Sequence, residues 1–210
     1  MEALCPIYTG RAVSNGGWAV GCAEWSDGRL SCLAKTVSIV QKSPDTGKFV
    51  WLGECERRAK ELGIEMFVLD DGWFGARNWD DKGLGDWVVN EEKMGGKLSD
   101  VVNKINDLGL KFGLWIEPEM VNENSDLYRA HPDWALQIPG KKPILGRTQL
   151  VLDYTRQEVI DGIFEQITKV IDSANIEYIK MDMNRSLCDM YSHASDTQNF
   201  GELMYKYVLG

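Results

Sequence analysis

From Glu54 to Asn184 the sequence alternates between segments of helical period and short apolar runs, and this alternation restricts the fold more than any other feature. Glu54 to Leu62 has the pattern of a charged helix with Gly63 as its stop, and Glu65 to Asp71 follows as an apolar strand. Ser99 is placed to cap a second helix in which Val101, Val102, Ile105 and Leu108 share one stripe. Gly109 ends that helix, and Lys111 to Glu117 is the next strand. Gln149 to Asp153 reads as a third strand. Beyond it, Ile160, Ile163, Phe164, Ile167 and Ile171 mark one face of a long amphipathic helix that leads into a strand at Tyr178 to Asn184. Helices and strands at this spacing predict right-handed βαβ units and a parallel sheet.

Each predicted strand ends in acid: Asp70 and Asp71, then Glu117 and Glu119, then Asp153, then Asp182. A lone acid at a strand end is commonly a helix cap, but a succession of them is what a (β/α)8 barrel requires, because that fold builds its site at the C-terminal ends of its strands. An open doubly wound sheet alternates similarly. It usually carries a Gly-rich phosphate turn, which this sequence lacks, so the α/β class expected is the TIM barrel.

The run from Tyr178 to Arg185 carries the most chemistry. Side chains alternate along a strand, so Lys180, Asp182 and Asn184 are expected on one face and Ile179, Met181 and Met183 on the other. Burying an unpaired carboxylate costs several kcal/mol or forces its neutralisation. An Asp flanked by Lys and Asn therefore reads either as a prepared chemical site or as a structural ion pair inside a barrel.

Composition excludes several functions. A chain of 210 residues with 44% hydrophobic content supports one well-buried domain. It has no apolar run long enough to span a bilayer and no basic stretch followed by an apolar core at its start, which predicts a cytoplasmic protein. A net charge of −9 argues against nucleic acid or anionic membranes as partners. The five cysteines (Cys5, Cys22, Cys32, Cys55, Cys188) form no C-x-x-C pair, and His131 and His193 are the only histidines. Neither a disulfide framework, a zinc site nor a Ser-His-Asp triad is indicated, no metal or cofactor is expected, and the chemistry falls to carboxylates.

The connection from Gly72 to Leu98 is long and lacks a helical or strand period, yet it contains Trp73, Phe74, Trp79 and Trp87. Long connections in compact domains are usually functional or disordered, and this many aromatics is poorly compatible with disorder. Flat rings beside carboxylates suit a sugar, whose C–H face packs on a ring while its hydroxyls donate to oxygens. Trp115 and Trp134 are further candidates, and about half of these tryptophans are expected to pack beneath the loop.

Seven motifs in order carry a resemblance: Phe67 to Gly75, Gly83-Leu84-Gly85-Asp86-Trp87, Gly113 to Val121, Ser125 to Arg129, His131-Pro132-Asp133-Trp134, Arg147 to Asp153, and Lys180 to Arg185. From about Glu54 to its end, the sequence resembles bacterial α-galactosidases of glycoside hydrolase family thirty-six, the melibiase-like enzymes of clan D. The resemblance implies a retaining hydrolase of terminal α-galactose, acting on small galactosides such as melibiose and raffinose-type oligosaccharides. It makes Asp182 the nucleophile, and Asp70, Asp71, Trp115, Arg147, Lys180 and Asn184 galactose contacts. On the physical reading Lys180 favours ionised Asp182, and Asn184 holds the hydroxyl beside the anomeric carbon.

The sequence departs from the family in three places. Met181 stands where members commonly have Trp, on the face expected to point away from the site. The family's acid/base Asp lies beyond a Cys- and Gly-rich segment absent here, so that residue is expected to be missing from this chain and the chain to be inactive alone on natural galactosides. Four strands of eight give only about the first half of the barrel, at residues 51–210, with possible homo-oligomerisation in a longer parent. Residues 1–50 do not match the family's preceding strand, show no clear period, and are assigned no function. Two other classes remain at this stage. One is a non-catalytic galactose-binding barrel fragment; the other is a magnesium-dependent TIM-barrel lyase, since acids at strand ends with a nearby Lys fit that too. Glu117 and Asp153 are expected to orient other groups.

Overall fold

The computed structural model describes residues 60, 61 and 63–209, and the backbone of four strands nearer the N-terminus. The chain forms two compact units, one of Met1–Trp73, Glu91–Ile116 and Ser173–Lys180, the other of Phe74–Asn90, Glu117–Asp172 and Met181–Gly210.

The first unit is built on a sheet. Strand β1 (Gly17–Gly21) pairs antiparallel with β4 (Thr36–Gln41), β4 runs parallel to β5 (Met66–Leu69), and β5 runs parallel to β6 (Lys111–Ile116). β2 (Glu24–Ser26) and β3 (Arg29–Ser31) form a separate hairpin. Strands therefore do form within residues 1–50, where no period was expected, and β4 takes the place beside β5. At the other end of the sheet lies β9 (Tyr178–Met181), next to β6.

β5 and β6 are the apolar runs of the sequence, buried on both faces, and Phe67 stacks on its register partner Phe112 with ring centroids 6.5 Å apart. Each such buried aromatic or aliphatic side chain contributes about 1.5–3 kcal/mol. Gly113 is required by crowding: a Cβ there would lie 2.9 Å from Tyr178 Cδ1 and 3.0 Å from Val68 Cγ2. Two helices precede β6. The short α1 (Glu91–Met94) lies inside the connection expected to be irregular, and α2 (Leu98–Asp107) turns Leu98, Val101, Val102 and Ile105 into the core. Ser99 does not cap α2: Lys97 holds the cap position, without a side-chain hydrogen bond, because the helix starts early enough to bury Leu98.

The strand carrying Lys180 is less buried than expected. As the last strand of the sheet order, β9 leaves Tyr178 44% and Met181 68% exposed, so its apolar residues are not core. Of the predicted helix at Glu54 to Leu62, residues 54–59 and Leu62 lie outside the described residues. Lys60 and Glu61 are helical, and Gly63, at φ +76°, follows in the left-handed conformation expected of a helix stop.

The second unit corrects the third predicted strand. β8 (Gln149–Val151) does not join the parallel sheet; it pairs antiparallel with β7 (Met120–Asn122), with Asn122 opposite Gln149. The reversal occurs at Gly146 to Gln149, where Arg147 (φ 50°) and Thr148 (φ 62°) both adopt the left-handed conformation. Each such non-glycine residue costs about 1–2 kcal/mol. The turn is held by Asn122 Nδ2 donating to Thr148 O at 2.9 Å, and by Thr148 Oγ1 donating to Asp80 O at 2.8 Å. Arg77, 4% exposed, fixes the loop that supplies Asp80, donating to the carbonyls of Trp79, Asp80 and Lys82 and to Asn122 Oδ1.

The long helix α4 (Gln157–Ile171) is present, but its inward row is Val159, Ile163 and Val170, while Phe164 is 70% exposed. The predicted apolar stripe shares only Ile163 with this row; the helix is rotated so that Val159 and Val170 turn inward, and Gln166 Oε1 accepts the Trp87 backbone N–H at 3.0 Å. Helix α5 (Phe200–Leu209) packs Tyr207 edge-on against Tyr154, whose hydroxyl donates to Pro118 O at 2.7 Å.

Two acids of this unit are shaped by burial. Asp86, 9% exposed, caps helix α3 (Asp126–Ala130): its oxygens accept the Asp126 and Leu127 N–H groups at 3.0 and 2.9 Å, while Ser125 Oγ accepts that of Tyr128 at 3.0 Å. The donors of the first helical turn are thereby satisfied. Burial raises the Asp86 carboxyl above its ordinary range, against the lowering effect of those two N–H groups, and burial likewise raises Glu119. A raised carboxyl contributes stability that is complete below the ordinary carboxylate range and is lost as pH rises through the raised value.

Asp86→Ala is expected to lower unfolding stability by about 1–3 kcal/mol in urea titrations, since two helix N–H groups lose their acceptor. Glu119→Gln, which mimics the protonated acid, is expected to raise stability at neutral pH. The gain should vanish on acidification below the ordinary carboxylate range, and a gain that persists or grows in acid would contradict the assignment.

Candidate functional site

Acids directly follow β5, β6 and β9: Asp70 and Asp71 after Leu69, Glu117 after Ile116, and Asp182 after Met181. Such positions leave a side chain free of the strand's pairing and aim it at the strand exit. Asp153, two residues beyond β8, serves its own loop: Asp153 Oδ1 accepts the backbone N–H and the hydroxyl of Thr155.

In the first unit Lys180 Nζ lies 2.9 Å from Asp70 Oδ2, a half-buried ion pair that ties the exits of β5 and β9 together. The other oxygen, Asp70 Oδ1, accepts the Asp71 N–H at 2.9 Å. Lys93, also in this unit, donates to Gly72 O, so the bend after the paired acids is anchored as well. Trp115 is 2% exposed, its carbonyl accepting Trp73 Nε1 at 2.9 Å, and its ring has no open face.

In the second unit Asp182 and Asn184 meet. Asn184 Nδ2 donates to Asp182 Oδ2 at 2.9 Å, and Met183 N donates to Asp182 Oδ1 at 2.9 Å. Asn184 is itself held, since its backbone N–H donates to Glu117 Oε1, and Gln149 Nε2 donates to Glu117 Oε2 at 3.1 Å. Arg185 closes the arrangement by donating to Gln149 O. Arg147, exposed at the tip of its turn, pairs with Asp80 at 3.6 Å. Among the loop tryptophans, Trp73 and Trp87 are buried and Trp79 is 65% exposed, so Trp79 presents the available ring. Trp134 stacks on His131 with centroids 4.2 Å apart.

Of the predicted residues, Asp70 thus meets Lys180 and Asp71, and Asp182 meets Asn184, while Arg147 pairs with Asp80, which was not among them. Sequence reasoning missed Gln149 and Arg185 as holders of the Asp182 turn; the signal available was a polar residue opening the otherwise apolar run Gln149 to Leu152. Among the described residues no group of three or more His, Cys, Asp or Glu side chains is placed to hold a metal ion, and no helix is long and apolar enough to cross a membrane.

Known proteins share this sequence and arrangement. The profile of the melibiase family matches residues 49–210. The chain is 55% identical over 157 residues to the bifunctional α-galactosidase/sucrose kinase AgaSK of Mediterraneibacter gnavus, covering 75% of this chain and 16% of that protein. It is 51% identical over 154 residues to the α-galactosidase AgaA of Geobacillus stearothermophilus, covering 73% and 21%. Among solved structures, the galactosidase domain of AgaSK superposes with a TM-score of 0.68 at 54% identity, over 74% of this chain and 21% of that one. A variant of AgaA in complex with raffinose gives 0.71 at 49% identity, over 74% and 22%. The chain spans 16% to 21% of the length of the two curated relatives. These likenesses identify a TIM-barrel-related glycosidase domain, in keeping with the parallel run β4, β5 and β6. With the profile covering residues 49–210 and identities above 50% to two of its members, the chain belongs to the melibiase family.

Proposed function

We propose that this chain supplies the nucleophile-bearing part, about the first half of the (β/α)8 barrel, of a retaining α-galactosidase acting on small galactosides of the melibiose and raffinose type. The observation that carries this reading is Asp182. Its two oxygens each receive a hydrogen bond, from Met183 N and Asn184 Nδ2, directly after a strand end. Donors to the ionised form favour it, and a carboxylate nucleophile must be ionised. The raffinose held by the AgaA variant supports the substrate class.

In the proposed reaction an Asp182 oxygen attacks the anomeric carbon, the bond from that carbon to the leaving oxygen breaks, and a galactosyl ester forms on Asp182. Water then attacks the same carbon, releasing galactose and restoring the carboxylate. Asp70 and Asp71 accept hydrogen bonds from galactose hydroxyls, and the Lys180 ammonium, already beside Asp70, donates to an oxygen of the sugar. Asn184 holds the hydroxyl beside the anomeric carbon, and Arg147 donates to the sugar as its family counterparts do. Trp115 belongs to the same proposed set, although a contact from its buried ring requires that ring to be uncovered. Trp79 offers a stacking face for a sugar ring.

Retention needs a second carboxyl about 5–5.5 Å from the nucleophile, to protonate the leaving oxygen and activate water. We assign that role to neither Glu117 nor Asp153, because Glu117 accepts from Gln149 and Asn184, and Asp153 from Thr155. An activated aryl leaving group needs little protonation. The purified chain is therefore expected to release aryl alcohol from an activated aryl α-galactoside, as a burst or slow turnover, and Asp182→Asn should abolish it. Equal release by both proteins would refute Asp182 as the nucleophile.

A further inference from the structure

Asp182 sits one residue past the end of β9, on a segment without strand pairing, and something must hold its carboxylate to the tolerance a displacement at carbon demands. The hydrogen bonds lead to Glu117. This side chain is 1% exposed, and an ion so far from water costs several kcal/mol unless donors surround it. Two of its donors are Gln149 Nε2 and the Asn184 backbone N–H. Gln149 is also 1% exposed, and its backbone is fixed in β8 opposite Asn122. Because Arg185 donates to Gln149 O, the turn after Asp182 is gripped at two points, both referred to the same buried residue pair. Asn184 then passes the constraint on, for its amide reaches Asp182 Oδ2 at 2.9 Å.

We propose that Glu117 is a positioning residue: its buried carboxylate fixes the Asn184 backbone, and through the Asn184 amide it sets the Asp182 oxygens for attack. This rests on the reading of Asp182 as nucleophile. Glu117 touches no reacting atom; its contribution is to hold a donor in register. Gln149 turns its NH2 toward Glu117 and leaves its own Oε1 buried without a hydrogen-bond partner among the described residues, the orientation that suits an acceptor at position 117. A neutral amide at position 117 would let Gln149 flip and use that oxygen. Glu117→Gln accordingly preserves volume and the acceptor for Asn184 while removing the charge that roughly doubles the strength of such bonds. Glu117→Ala removes the acceptor as well.

The test pairs nuclear magnetic resonance with kinetics on the purified chain and these two variants. In Glu117→Gln the Asn184 amide proton should shift upfield and exchange faster, with the Ile163 amide in α4 unchanged as a control on global stability. Turnover of an activated aryl α-galactoside should fall about tenfold in Glu117→Gln and about a hundredfold in Glu117→Ala, in kcat more than in KM. An unchanged Asn184 amide, full turnover by both variants, or a loss confined to KM would overturn the positioning role alone. If Asp182→Asn turns over like the unaltered chain, the nucleophile reading fails and the positioning role falls with it.

Discussion

The buried side chain of Glu117 is the constraint around which the contacts of Gln149 and Asn184 are arranged. A carboxyl group 1% exposed needs donors in place of water, and two of those it has come from separate stretches of chain, Gln149 and Asn184. The residues that meet this need sit at the start of β8, where a buried glutamine opens an otherwise apolar run paired with β7, and in the turn after β9, where the Asn184 N–H reaches Glu117 Oε1. The left-handed pair Arg147 and Thr148 belongs to the same arrangement, since the tight turn they make brings Gln149 opposite Asn122. Strain of this kind persists where surrounding bonds over-determine it, and here Asp80 and Asn122 supply those bonds.

The first unit solves a different problem. β5 and β6 are apolar and buried, so polar groups gather beyond the strand ends, where Asp70 meets Lys180 and Asp71 follows. That ion pair is half-buried, an environment in which charge–charge attraction is stronger than at an open surface. Hydroxyl-rich ligands suit such a place, because carboxylate and ammonium supply acceptors and donors without needing a metal or a thiol.

Much of this was legible in the sequence where a single physical rule governed. β5 and β6 were legible because buried parallel strands read as uninterrupted apolar runs, and the acids at their exits because charge follows directly where the apolar run stops. The meeting of Asp182 with Asn184 was legible through their two-residue spacing. The sequence misled where two rules competed. Gln149 to Asp153 has the composition of a core strand, and only its pairing with Met120–Asn122 shows it to be half of a ribbon. The inward row of α4 was read only in part: Ile163 faces the core as expected, but Val159 and Val170 were missed, half-buried Gln166 accepts the Trp87 backbone N–H, and the apolar Phe164 faces outward. Met181 and Tyr178 look like core residues, but the end position of β9 in the sheet leaves them open. Trp115 read as an open sugar platform and is packed instead, because burial of an indole cannot be told from its presentation by residue type alone.

The central claim is that Asp182 supplies the electron pair that forms the covalent bond to the sugar. The most direct measurement is to incubate the chain with a slow, fluorinated α-galactosyl donor bearing an activated leaving group, digest it, and locate the adduct by mass spectrometry. The account predicts one galactosyl unit, esterified to Asp182. A label on another carboxylate such as Asp70 or Glu117, or a folded chain that takes up none, would contradict it.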